Sequence, residues 1–506
     1  MKKKIFKRAG VAVLSMAMLL SMGAIGGLSA SAVKDNTTDI TITAPASAGS
    51  TTATYTIYKV CNATPNANGS AYTYSMATGF DTVTLSQILD CADTNAARKT
   101  LADALVADIT TGTTATAVTT VNSGTTTTLK AGYYLAIMNP TGTTMTAAPI
   151  LFSVDSEVNA GGITLQTKTS QPDLTKTIEA IDKGTVDANS VDAEGAIGAT
   201  VSYQLTSTLP NYAPTVTAEN VEYYIVDTPA TGITILDGNN TYTLNGSNVT
   251  SNTNTVTITS SAGEITANDY TLDLTGTGIK LQIKGAYVLA NGGATITVSY
   301  NAIINDNALI STDATSQANT NTAKLYYDND YYTASKSGTP DNPGDLTEID
   351  KDTDVYTTKL VFTKLFGGDN TPVAGATFTV TGPNNYSKTL TTTADAGGNV
   401  FTLTGLEAGT YTVTETATNP AYTLNANPVT TIVISADTDA NDVYSFTYTN
   451  ANTSSGENFT VNNTPKSNLP GTGGMGTILF TVGGAAIVLL AGAMFVLYMK
   501  KRRVEE

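Results

Sequence analysis

Leu174-Thr175-Lys176-Thr177-Ile178 alternates apolar and polar side chains with a period of two, and it places a lysine where an aliphatic residue is expected. In an extended strand, residues i, i+2 and i+4 project to one face. Leu174, Lys176 and Ile178 therefore point together into a core, while Thr175 and Thr177 face water. Lys359-Leu360-Val361-Phe362-Thr363-Lys364-Leu365-Phe366 repeats the arrangement, with Phe362 and Lys364 on one face. Alternation of this kind recurs in Ala53–Tyr58, Thr255–Thr259 and Thr410–Thr414. Runs of Thr and Tyr favour strands with one solvated face. The expected fold is mainly β, a series of tandem β-sandwich domains with one helix in the first. That helix is read over Thr84 to Ile109, with Leu85, Ile88, Leu89, Leu101, Leu105 and Ile109 at helical spacing and Thr84 as its N-cap.

A lysine aimed into an apolar core has unusual chemistry. Desolvation favours its neutral amine, which is a nucleophile. An asparagine nearby would supply an amide carbon, and a buried carboxylic acid kept protonated by the same surroundings would polarise the asparagine carbonyl. The alternatives are a buried salt bridge or an amine that snorkels to the surface.

Both ends of the chain read as processing signals. Lys2, Lys3, Lys4, Lys7 and Arg8 precede an apolar run to about Leu28, and Ala30-Ser31-Ala32 offers small residues to a signal peptidase, so residues 1–32 are expected to be a signal peptide. At the other end, Leu469-Pro470-Gly471-Thr472-Gly473 precedes an apolar stretch over residues 478–499 and the cluster Lys500-Lys501-Arg502-Arg503. The stretch is long enough to span a bilayer, and the basic cluster marks residues 500–506 as a cytoplasmic tail. Between the ends, three domains are expected over 33–166, 167–332 and 356–463, with a linker at 333–355 and a short stalk before the terminal motif. The linker is read from Ser335-Lys336-Ser337-Gly338-Thr339-Pro340-Asp341-Asn342-Pro343-Gly344.

Charge and composition exclude several functions. The net charge of −16 becomes more negative once the basic ends are removed, and such a surface repels nucleic acid. The chain has no His, the commonest general base, and no nucleophile–base pair is visible, so no enzyme activity and no cofactor are expected. No metal site is expected either: Asp437-Thr438-Asp439-Ala440-Asn441-Asp442 has Asp442 where a calcium loop needs glycine. Cys61 and Cys91 are open to two readings, a disulfide or two small separate thiols.

Several motifs carry family resemblances. Residues 469–506 resemble the LPxTG wall-sorting signal of Gram-positive surface proteins. That resemblance implies that a sortase cleaves between Thr472 and Gly473 and passes the Thr472 carbonyl to an amine. Lys359–Phe366, Thr371–Phe378, Gly409–Glu415 and Pro420-Ala421-Tyr422 resemble the collagen-adhesin B-type domain, with Ala421 where that family usually has glycine. The resemblance implies an isopeptide bond from Lys364 to an asparagine on the last strand, assisted by Glu415. Asn463 is the first choice of partner and Asn450 the alternative. The second domain resembles the lysine–asparagine sandwich of backbone pilins, which implies Asp227, in Val221–Ile233, as the assisting acid and Asn321, in Asn321–Tyr327, as the partner of Lys176. Backbone pilins carry a further lysine before this domain, and Lys168 lies at that place in Gln166-Thr167-Lys168-Thr169, without the family's usual neighbours.

Taken together, the chain resembles the major subunit of a sortase-assembled pilus. The implied role is structural, on the bacterial surface and anchored to the cell wall. Its implied partners are housekeeping and pilus-specific sortases, other copies of itself in a covalent polymer, minor pilins and peptidoglycan. The alternative is a monomeric wall-anchored adhesin built from similar domains.

Overall fold

The computed structural model describes residues 37–44, 53–65, 72–92, 94–110, 115–140, 143–154, 162–167, 169–274, 278–334, 336–426, 429–438, 444–450, 456–467 and 475–503. The expected signal peptide, Lys168 and the motif Leu469–Gly473 lie outside them.

In the first domain, strands Tyr72–Met76, Thr54–Pro65, Gly132–Met138 and Ile150–Val154 form a sheet in that order, and Ala117–Asn122 also pairs with Thr54–Pro65. A smaller sheet orders Thr126–Lys130, Thr37–Thr43 and Ile163–Gln166. The expected helix is present as two, Leu85–Leu89 and Asn95–Thr110. Thr84 caps the first with a reciprocal bond to Gln87. Between them, Asp90 closes the first helix and the Thr94 hydroxyl accepts the Ala97 N–H at 3.2 Å to start the second. The C-cap at Asp90, made by its backbone N–H, and the Thr94 side chain, which bonds local backbone, break a helix that the apolar spacing alone would run straight through. Both cysteines are free: Cys61 is buried with its thiol on Met76 Sδ, and Cys91 is half-buried.

The second domain is a sandwich. One sheet orders Leu174–Ile181, Thr200–Thr208, Thr295–Ile304 and Ile233–Ile235. The facing sheet orders Gly184–Val186, Asp192–Gly195, Thr347–Tyr356, Asn319–Tyr327, Tyr223–Pro229, Ile279–Ile283 and Tyr270–Asp273. Burial follows the pleat: along Thr200–Thr208 every second residue is buried, beginning with Val201, Tyr203 and Leu205. The expected linker at 333–355 is corrected here, because Thr347–Tyr356 is a full strand paired along Asn319–Tyr327. Charged residues dominate its sequence, yet they face outward, as in the 2.5 Å ion pair between Lys324 and Glu348, while Val355 turns into the core. Its polar composition therefore concealed its alternation.

The third domain sets a three-stranded sheet, Val400–Leu406, Thr358–Phe366 and Asn458–Asn463, against a five-stranded one of Ser387–Thr391, Thr377–Thr381, Gly409–Ala417, Thr430–Thr438 and Tyr444–Asn450. Phe362 centres its core, with ring centroids of Phe378, Phe401 and Phe459 at 5.3, 4.9 and 5.2 Å. The last strand runs parallel to the first, with Phe366 opposite Asn463. A parallel pair cannot be joined by a tight hairpin. Here the rest of the domain serves as the crossover.

Met475–Arg502 is a helix, and Ile478–Arg502 has a mean hydropathy of 2.3 over its most apolar window, long enough to cross a membrane.

Leu205 is fully buried and stands opposite Lys176 in the ladder. Leu205→Ala should lower the stability of the second domain by about 2–5 kcal/mol. Denaturant unfolding followed by tyrosine fluorescence measures it, since the chain has no Trp.

Candidate functional site

Lys176 is 2% exposed, between Leu174 at 0% and Ile178 at 1%. Its amine forms an ion pair with Asp227 Oδ1 across the sandwich. Asp227 is held on Tyr223–Pro229 between the strands of Ile279 and Ala323. A Cβ on Gly278 would lie 2.0 Å from the Asp227 carbonyl oxygen, so only glycine lets the chain pass so close behind the acid. The other carboxylate oxygen of Asp227 accepts the Tyr300 hydroxyl at 2.6 Å, and Tyr300 in turn accepts Asn321 Nδ2 at 2.8 Å. Asn321 is fully buried, and its Oδ1 has no hydrogen-bond partner. An orphaned carbonyl in a dry core is costly.

The structure thus brings Lys176, Asp227 and Asn321 into one cluster, and it adds two residues that the motif reading missed. Tyr300 links the acid to the amide. Tyr203 stacks on Tyr300 with centroids 5.2 Å apart and lies 5.5 Å beneath the lysine amine. Both were open to detection, because Val201-x-Tyr203-x-Leu205 and Ile296-x-Val298-x-Tyr300-x-Ala302 alternate inward like the lysine strand. Burial pushes the Lys176 amine below the usual lysine range, and Asp227 opposes that shift. Burial likewise drives the Tyr300 phenol well above its ordinary value, reinforced by the Asp227 charge, so it remains a hydroxyl donor. Desolvation disfavours the charge on the Lys176 amine. Asp227 and Tyr300 thus connect the Lys176 amine to the Asn321 amide through hydrogen bonds.

The third domain assembles the same residue types differently. Lys364 is 0% exposed, donates to Leu365 O at 2.5 Å and lies 3.9 Å from the centre of the Phe366 ring. Burial lowers its pKa to about 8, with Glu415 opposing. Glu415, fully buried, accepts Asn463 Nδ2 at 2.9 Å on Oε1 and the Asn425 N–H at 3.0 Å on Oε2. Asn463 Oδ1 accepts from the Asn425 side chain, and Asn463 Nδ2 also donates to Thr418 Oγ1. Lys364 pairs with Val461 in the parallel ladder, two residues before the Phe366–Asn463 pair, and Lys364 and Asn463 are both buried on the core face. Asn450 lies elsewhere. It closes the edge strand of the facing sheet, where its Oδ1 accepts the Thr430 hydroxyl at 2.6 Å. Asn425 and Thr418, in the loop after Glu415, carry no motif that would have marked them.

In an Asn463→Ala variant Lys364 carries a free amine. Because its folded pKa of about 8 lies below the ordinary 10.5, the unfolded chain binds more protons between those values. Stability of that variant should therefore rise as pH increases from about 8 to 10.5, and a Lys364→Met, Asn463→Ala double variant should lack this component. Denaturant titrations across pH measure the difference.

Comparisons with known proteins agree with this architecture. Residues 358–451 match the prealbumin-like fold domain SpaA, and residues 461–506 match the LPXTG cell wall anchor motif. The trypsin-resistant surface T6 protein of Streptococcus pyogenes is 25% identical over 287 residues, covering 54% of this chain and 48% of that protein. The chain spans about half the length of this curated relative. The solved T6 backbone pilin of serotype M6 Streptococcus pyogenes, a modular three-domain structure, aligns over 86% of this chain and 100% of its own with a TM-score of 0.52 and 21% identity. The full-length major pilin SpaD of Corynebacterium diphtheriae covers the same share of this chain and 98% of its own, at 13% identity and a TM-score of 0.45. With its SpaA domain and its LPXTG anchor, the chain is a cell-wall-anchored surface protein that resembles the backbone subunits of Gram-positive pili.

Proposed function

We propose that the chain is the backbone subunit of a covalent pilus, cross-linked within its domains and polymerised between copies. The observation that carries this reading is the pair of buried lysine, acid and asparagine clusters in successive domains. In each, the neutral lysine amine attacks the asparagine Cγ, the new Nζ–Cγ bond forms, the Cγ–Nδ2 bond breaks and ammonia leaves. Asp227 takes the proton of Lys176 and returns one to the departing nitrogen, with Tyr300 bridging acid and amide; Glu415 serves Lys364 and Asn463. The bonds expected are Lys176–Asn321 and Lys364–Asn463.

Each bond would close a loop of roughly a hundred residues or more, worth on the order of 5 kcal/mol by the chain-entropy argument. Its mechanical effect is larger. Pull applied at the entry strand passes through a covalent bond instead of shearing a ladder of hydrogen bonds.

Polymerisation would join Thr472 of one copy to Lys168 of the next. A pilus-specific sortase forms an acyl-enzyme at Thr472 and releases the segment from Gly473 onward, and the Lys168 amine resolves it. A housekeeping sortase would attach the finished polymer to peptidoglycan, with minor pilins as further partners. The second reading, a monomeric wall adhesin, is favoured by the sequence around Lys168, which lacks the neighbours usual in backbone pilins.

The exported chain should be lighter than its processed sequence by two ammonia molecules. Intact-mass spectrometry measures this, and a mass equal to the unmodified sequence would refute the cross-links. Glu415→Ala should restore one ammonia and leave the Lys176–Asn321 peptide intact in a tryptic digest.

In the native host, Lys168→Ala should abolish the high-molecular-weight ladder on a denaturing gel while export and anchoring of the monomer continue. Persistence of the ladder would move the acceptor to another lysine, with Lys183 next to test. That amine donates to Gly198 O at 2.7 Å and must be released before it can react. A wild-type gel with monomer alone would favour the adhesin.

A further inference from the structure

The closing strand Asn319–Tyr327 runs directly into Asp328-Asn329-Asp330, and this turn grips the first domain. Tyr327, fully buried, donates its hydroxyl to the Thr144 carbonyl. Asn329 is 1% exposed and donates through Nδ2 to the carbonyls of Pro140, at 3.0 Å, and Thr143. Its Oδ1 accepts the Lys336 amine. Lys336 is itself fixed through its backbone N–H, which donates to Asp328 Oδ2 at 2.7 Å, while the other Asp328 oxygen accepts the Asp330 N–H at 2.6 Å. Both faces of the Asn329 amide are therefore committed. An ammonium on the amide oxygen polarises the group and strengthens its N–H donors.

The gripped segment continues into Thr146–Ala147, which pairs antiparallel with Thr169–Ser170. A ladder of two residues is not stable by itself, so it depends on what holds its strands. Just upstream, Thr167 is buried, its N–H donating to Thr43 O at 3.0 Å and its hydroxyl to the Tyr55 oxygen at 2.6 Å. The chain is thus tied to the first domain before residue 168, and after it by a short ladder whose far strand is held by Asn329 and Tyr327.

We propose that Asn329 is a positioning residue for polymerisation. Clamped by Lys336, it holds the segment of Pro140, Thr143 and Thr144, and through Thr146–Ala147 it fixes Thr169–Ser170 beside the acceptor. The second half of this inference rests on the reading of Lys168 as the polymerisation lysine. Asparagine suits the place because two loop carbonyls, that of the buried Thr143 and that of the half-buried Pro140, need donors and one amide supplies both.

Asn329→Asp tests it, since the substitution keeps the shape and turns the donating nitrogen into an oxygen facing two carbonyls. In the exported chain, amide exchange at Thr146, Ala147, Thr169 and Ser170 should accelerate by about tenfold or more, with Thr295–Ile304 unchanged as a control for global unfolding. In the host, the ratio of polymer to anchored monomer should fall roughly fivefold or more, in line with loss of orientation at the acceptor. Lys336→Met should reproduce both effects, and Lys336→Arg, which keeps a cationic donor, should restore them. Unchanged exchange in Asn329→Asp overturns the clasp. Faster exchange with an unaltered polymer ratio overturns the positioning role. Lys168→Ala distinguishes the two readings: a ladder that persists there refutes the acceptor, whereas the exchange measurement decides the clasp whichever lysine reacts.

Discussion

Two lysine amines taken out of water constrain everything around them. Lys176 and Lys364 are buried at the centre of their domains, and a lone ammonium in such a place is several kcal/mol unfavourable. Each lysine is accompanied by a buried carboxylate and a buried asparagine, Asp227 with Asn321 and Glu415 with Asn463. The strands that deliver these residues must be held at fixed separation, and the dense packing of Tyr203, Tyr300 and Leu205 in one domain and of Phe362, Phe378 and Phe459 in the other holds them there.

The two domains meet the same demand with different topologies. In the second, the lysine belongs to one sheet and the acid and asparagine to the other, so the cluster bridges the sandwich. In the third, lysine and asparagine lie on adjacent parallel strands of one sheet, and the acid comes from the facing sheet. The difference sets the neighbours. Asp227 touches the amine directly and reaches the amide through Tyr300, whereas Glu415 touches the amide directly and acts on Lys364 through its charge.

Tyrosine has an unusual share of the interior. Tyr203, Tyr223, Tyr300 and Tyr327 are all buried in the second domain. A buried phenol brings ring area for packing and one hydroxyl that usually finds a partner, although that of Tyr203 has none. Tyr300 uses it within the lysine cluster, Tyr223 pairs with Ser207 at 2.5 Å, and Tyr327 reaches Thr144 in the first domain. A chain without Trp or His thereby builds its polar interior connections from phenols, amides and carboxylates.

Period-two alternation by itself determined the mainly β fold and the inward lysines, because the pleat of a strand is a property of the local backbone. The terminal motif and apolar stretch were equally legible, since anchoring depends on length and hydropathy along the chain. Local pattern fell short where a side chain bonds the backbone, as at Thr94 between the two helices, and where charge masks alternation, as in Thr347–Tyr356. The choice between Asn463 and Asn450 belonged to tertiary structure alone: each ends a strand in sequence, and only the parallel register that sets Asn463 opposite Phe366 decides which one meets Glu415. Alternation places Tyr300 in the core, but its bonds to Asp227 and Asn321, like those of Asn329 to Pro140 and Thr143, were hidden for the same reason. Each joins groups far apart in the chain, and a contact of that kind exists only once the sheets have closed on one another.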